Sequence, residues 1–142
     1  MTNKILVAVF DCATEEYLFN EALRIAKAKG ETAELCFLHV LLDGTPPNKQ
    51  MEAALQTWVT KAEAMRITAK TEIDYGLPGR IICQHASVPL WGANSVVIGH
   101  RTRNALTEFA LGNVSSYVRK HAPVNCAVLV VRSPLQAVTT YV

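Results

Sequence analysis

The stretch VVIGHRTRNALTEFALGNVSSYV, from Val96 to Val118, decides the fold. Val96-Val97-Ile98 is a short β-branched run that stops at Gly99. A loop carrying Arg101 and Arg103 follows, then a second glycine, Gly112, and Asn113, a residue type that caps helices well. Val114, Tyr117, Val118 and His121 then repeat at helical spacing. A strand that feeds a helix through a loop belongs to a parallel α/β sheet. Unpaired amides and the positive dipole end make a helix start attractive to anions. Open α/β sheets hold their ligands in the loops beyond the carboxyl ends of the strands. The stretch therefore predicts a ligand that carries phosphate.

Four more apolar runs, Ile5–Val9, Leu35–Val40, Ile67–Tyr75 and Ala127–Val131, join Ser95–Ile98 as predicted strands. Amphipathic segments separate them. Phe19, Ala22, Leu23 and Ala26 form one stripe, and Met51, Leu55, Trp58, Ala62 and Met65 a second. Ile81, Ile82, His85 and Ala86 begin a third, which Pro89 should end. Ile5–Val9, Leu35–Val40 and Ser95–Ile98 are nearly continuously apolar, as strands covered on both faces must be. Ile67–Tyr75 alternates apolar and polar residues, which suits a sheet edge. The prediction is an α/β fold, an open, doubly wound, parallel five-stranded sheet of order 3-2-1-4-5 with helices on both faces. Strands 1 and 4 then flank the ligand crevice. The fifth strand is an apolar edge and so needs a cover, for which a twofold homodimer through Ala127–Val131 is the expectation. Residues 1–132 are expected to form the domain, and 133–142 a tail that either joins that interface or folds back over its own edge strand.

Composition narrows the class. The chain has 142 residues, half of them apolar, which fits one domain. Residues 1–75 carry eight basic and eleven acidic side chains, whereas residues 76–142 carry six basic ones and only Glu108. A bias from −3 to +5 suits an anion held by the second half. No dense basic stripe interleaved with aromatics points to nucleic acid, and no run is long enough to span a membrane. Cys12, Cys36, Cys83 and Cys126 lie far apart, so packed, reduced thiols in a cytoplasmic protein are expected, without a metal site. His100 lacks a nucleophile or carboxylate set beside it in sequence, so no catalytic group is assigned. Walker and dinucleotide fingerprints are absent. Trp58 and Trp91 are expected as core or interface anchors.

Several segments, in order, resemble the universal stress proteins. Ile5–Val9 looks like that family's opening strand, Glu21–Ala26 like its first helix, and Leu38-His39-Val40 like the end of its second strand. Gly76-Leu77-Pro78-Gly79 is similar to its Gly-x-Pro turn. The most specific match is Leu111–Val118, followed by His121-Ala122-Pro123 and Val128–Arg132. The resemblance implies a stress-response regulatory protein that binds an adenine nucleotide, ATP or AMP, with at most slow incidental hydrolysis. The family's phosphate loop, Gly-x2-Gly-x9-Gly-(Ser/Thr), falls on Gly99, Thr102, Gly112 and Asn113, so its second glycine and final hydroxyl are replaced. The implied nucleotide site comprises Asp11, Val40, Gly99, Arg101, Arg103, Gly112, Asn113, Val114 and Ser115. An ungapped match sets Phe10 where the family has an aspartate; a bulge in the first strand would restore Asp11. Asp11 offers Mg²⁺ a single carboxylate, which does not by itself make a site. The alternative is a homodimeric stress protein that binds no nucleotide and acts through protein contacts, with Phe10 filling the base position.

Overall fold

β1 (Thr2–Val9) runs through the middle of a five-stranded sheet. A computed structural model describes residues 2–28, 32–100 and 113–134. After β1 come α1 (Glu16–Ala28), β2 (Thr32–Leu41), α2 (Lys49–Ala64), β3 (Thr68–Tyr75), α3 (Pro78–Ala86), β4 (Ser95–His100), α4 (Asn113–His121) and β5 (Ala127–Arg132). The strand order is β3-β2-β1-β4-β5, every pairing is parallel, and β1 lies between β2 and β4 as predicted. Arg101, Thr102, Arg103, Gly112 and the tail from residue 135 lie outside the described residues.

Alternation along β1 sends Ile5, Val7 and Val9 to one face and Leu6 and Ala8 to the other. On the first face they pack beneath α1 and α2, where Phe19, Phe37 and Trp58 form an aromatic trio with ring centroids 5.3 to 5.8 Å apart. On the second they pack beneath α3 and α4 with Ile82, Val96, Ile98 and Val118. Burying each large aliphatic side chain contributes about 1.5–3 kcal/mol, so both faces stabilise the same strand. Asn48 caps α2 by accepting from the Gln50 and Met51 amides at 2.9 and 3.3 Å. Pro78 starts α3, where a missing N–H costs nothing. That helix ends at Ala86, three residues before Pro89.

Three expectations change. Met65 leaves the apolar stripe of α2 and is exposed, because the helix ends at Ala64. The Ile67 amide donates to the Ala62 carbonyl and the Arg66 amide to that of Glu63, the pattern of a Schellman cap. Arg66 takes the left-handed position with φ 63°, where glycine is usual. His85 does not simply extend an apolar stripe, since its Nε2–H donates to Asp74 Oδ2 across 2.8 Å and ties α3 to edge strand β3. On α4, Val114 and Val118 face the core while Tyr117 and His121 stack on the surface, centroids 4.2 Å apart. Trp91 is half-buried and receives the ammonium groups of Lys4 and Lys70 at 5.5 and 5.4 Å from its ring centroid.

All four thiols are free, and burial pushes those of Cys12 and Cys36 up to about 12. They are poor nucleophiles at neutral pH.

Arg66→Gly should stabilise the protein by about 0.5–1 kcal/mol in urea denaturation, since the relieved left-handed strain exceeds glycine's added chain entropy. A loss of stability would show that the arginine side chain holds the cap. The hydrogen bond from His85, with a second from the Tyr75 amide, keeps the Asp74 carboxyl below its ordinary value of 3.8. A depressed carboxyl stabilises the fold above its unfolded value and loses that effect as pH falls through the folded one. Asp74→Asn should therefore melt below wild type at neutral pH, with the gap closing below pH 3.8. A gap independent of pH would contradict this.

Candidate functional site

The carboxyl ends of β1 and β4 part company because the chain leaves them for opposite faces of the sheet. β1 continues into α1 on one face, while α4 lies on the other. Such a reversal opens a crevice beyond the strand ends. Val9 pairs with His39 on one side of β1, and Ala8 with Ile98 on the other, so Gly99 and Val40 flank the exit of β1.

The exit is held by Glu15, a residue the sequence reading did not single out. Its carboxylate is 1% exposed, and Oε1 accepts from the amides of Phe10 and Asp11 at 2.6 and 2.8 Å. Its carbonyl accepts from the Leu18 amide at 2.9 Å in the first turn of α1. A buried carboxylate is costly unless hydrogen-bonded, and these two amides supply such bonds. The only advance signal was a glutamate directly before a helix, which usually marks a solvated first turn.

Gly99 faces this same group. A Cβ there would come 2.5 Å from the Tyr17 hydroxyl oxygen and 3.6 Å from Glu15 Oε2. The glycine thus has a packing reason: the start of α1 closes on the end of β4. His39, expected to be buried in its strand, holds the β1 end from the other side, its Nδ1–H donating to the Val9 carbonyl across 2.8 Å.

The pairings of β1 run without interruption to Val9 and contain no bulge, so Asp11 is not drawn back into the strand. It sits in the turn beyond, where Oδ1 accepts from the Ala13 amide and Oδ2 from the Thr14 hydroxyl, both at 3.1 Å. Phe10 is half-buried against the packed cluster that contains Val40 and Val114. Val40 is buried at the end of β2, and Val114 in the first turn of α4. Asn113 begins that helix, Ser115 is buried one residue after Val114, and the first turn has no acidic side chain. The structure therefore gathers Phe10, Val40, Gly99 and the amino end of α4 at one edge of the sheet. The carboxylate of Asp11 is turned to its own loop. Among the described residues, no cluster of three or more His, Cys, Asp or Glu side chains could hold a metal ion.

With this geometry in place, known proteins can be set beside it. The model of the universal stress protein family matches residues 1–132. A universal stress protein of Synechocystis sp. is 42% identical over 74 residues, 52% of this chain and 65% of its own length. A second from the same organism is 38% identical over 78 residues, 55% of this chain, and is matched over 48% of its own length, so the chain spans less than two thirds of each of these two relatives. A putative universal stress protein of Staphylococcus haemolyticus is 28% identical over 91% of this chain and 84% of its own. Universal stress protein UspA from Lactobacillus plantarum has a TM-score of 0.62 at 29% identity, covering 92% of this chain and 97% of that one. A universal stress protein family protein from Arabidopsis thaliana, crystallised with AMP bound, has a TM-score of 0.67 at 20% identity, covering 94% of both chains. A universal stress protein in complex with cAMP reaches 0.69 at 20% identity, over 92% of this chain and 96% of that one. At 20% identity these last two establish the shared fold.

Gly99→Ala should destabilise the protein by about 1–3 kcal/mol through overpacking against the Tyr17 hydroxyl. Adding Tyr17→Phe should recover part of that loss, so the double variant is more stable than the two single losses predict. Additive losses in urea denaturation would show that the hydroxyl is not what the added methyl meets.

Proposed function

Because the chain belongs to the universal stress protein family, we propose that it is a regulatory protein that binds an adenine nucleotide in the crevice between β1 and β4. One observation carries this reading: Gly99, near the end of β4, lies beside the exit of β1, and α4, which has no acidic side chain in its first turn, packs on the face of the sheet that also holds Phe10 and Val40. The base lies against Phe10 and Val40, and the phosphates lie toward the helix start, where amides and dipole favour negative charge. In this reading Gly99, Gly112, Asn113, Val114 and Ser115 border the phosphates, with Arg101 and Arg103 as cationic partners and Mg²⁺ accompanying ATP. AMP and cAMP in the related structures support the ligand class. Binding orders the helix start and alters a surface that a protein partner recognises. The protein works as a homodimer joined along β5, in the cytoplasm, and hydrolyses ATP slowly if at all. No described helix is long and apolar enough to cross a membrane.

A second reading has its own observation. Phe10 packs on the Val40–Val114 cluster, and the Asp11 carboxylate is engaged by Ala13 and Thr14, so the base position is filled from within. The protein would then be a ligand-free dimer. Calorimetric titration with AMP and with Mg-ATP, after stripping of carried-over nucleotide, separates the two. The nucleotide reading expects saturation near one ligand per chain and a stabilisation of about 2.7 kcal/mol at a hundredfold excess over Kd. No heat and no rise in melting temperature would overturn it and favour the second.

A further inference from the structure

Exposed apolar side chains are scattered singly over most soluble proteins, but here they gather on one face. Among the described residues eight large hydrophobic side chains are exposed, and five of them belong to α3, α4 and the segments that flank these helices. They are Leu77, Val88, Leu90, Tyr117 and Val124, with Val88 82% exposed, Leu77 63% and Leu90 58%. A group of this kind on one face marks a contact surface.

The face is concave. α3 and α4 lie so close that a Cβ at Gly79 would come 2.7 Å from the Tyr117 ring. Three cavities follow the seam between them. The first, about 180 Å³, shares Arg80 and Tyr117 with the second, about 340 Å³. The second shares Ser87, Val88 and His121 with the third, about 420 Å³, which Val124 borders. Shared walls make them one furrow, from Leu77 past Val88 to Val124. The nine residues of α3 alone span about 13 Å, and the furrow passes both ends of that helix, so it has room for about three helical turns. No strand residue lines it, so a bound segment finds no sheet edge to pair with. Such a segment must satisfy its own backbone, which a helix does.

Charge narrows the partner. No carboxylate lines any of the three cavities. Arg80 and His121 stand on the walls, and Lys120 is exposed in the last turn of α4, three residues after Tyr117 and so on its side of the helix. Among the described residues from Gly76 onward there is no acidic side chain. An apolar furrow with a cationic rim complements a partner that is apolar along its centre and acidic at its edges. We propose that the furrow between α3 and α4 docks an acidic amphipathic helix of a partner protein, about three turns long. Apolar side chains at i, i+3, i+4 and i+7 enter beside Val88, Leu90 and Tyr117, and carboxylates on the helix flanks face Arg80 and Lys120. Docking here needs no nucleotide. α3 runs from the carboxyl end of β3 to the amino end of β4, which puts Val88 and Leu90 at the opposite end of the sheet from the crevice.

The test is fluorescence anisotropy of the full chain, stripped of nucleotide, with a labelled helical peptide of about three turns. The peptide carries leucine at i, i+3, i+4 and i+7 and glutamate on both flanks. Wild type should bind it saturably. Val88→Ser with Leu90→Ser should bind roughly tenfold or more weakly while keeping the wild-type melting temperature, since both side chains are exposed. Arg80→Glu with Lys120→Glu should lose the glutamate peptide and accept one with lysine in its place. No saturable binding by wild type, equal binding by the serine variant, or equal binding of the lysine peptide to wild type would overturn the proposal. Two other occupants are read in parallel. Flotation with phosphatidylcholine–phosphatidylserine vesicles that requires Val88 and Leu90, while the peptide fails, would replace the helix with a membrane surface. Self-association lost in the serine variant, while the peptide fails, would replace it with a second copy of this chain. Either result would overturn the proposal, and neither would touch the AMP and Mg-ATP titrations on which the crevice reading stands.

Discussion

The structure depends on the burial of Ile5–Val9 on every side. These residues are at most 1% exposed, with helices above and below and a parallel strand on each edge. A strand in that position cannot turn back beside itself, so its neighbours are reached by crossovers. The crossover to β2 carries α1, and β4 arrives only after two more helices. Winding in opposite senses from β1 separates the strand ends there. The location of the candidate site is thus a consequence of core burial, before any polar side chain is considered.

Polar residues then finish the edge. Glu15 folds the chain back after β1 by holding the Phe10 and Asp11 amides, and Gly99 leaves space for Tyr17 and that carboxylate. The negative charge of Glu15 therefore lies behind the exit of β1, on the α1 side. The described cations of the second half, Arg80, Arg119, Lys120 and Arg132, belong to α3, α4 and β5.

Strand order was legible because burial leaves a pattern in composition: Ile5–Val9, Leu35–Val40 and Ser95–Ile98 are nearly continuously apolar, while Thr68–Tyr75 alternates. Helix ends were less legible. The stripe that runs to Met65 continues the helical period, and only the cap at Arg66, a position where glycine is the common signal, ends it sooner. Glu15 escaped because its burial depends on a turn folding back over five residues, which no periodicity encodes. His85 was read as part of an apolar stripe because its partner Asp74 sits eleven positions away on another element. The site residues that a motif could name, Gly99 and Gly112, were visible; what surrounds Gly99 was not.

The central claim, that the edge where β1 and β4 diverge is a ligand site, is tested most directly by mapping amide chemical shifts as AMP is added to the labelled protein. The account predicts that the largest changes fall on Phe10, Asp11, Val40, Gly99 and the first turn of α4, with the amides of β3 unchanged. Shifts that scatter over the surface, or that leave Phe10 and Gly99 unmoved at saturating AMP, would contradict it.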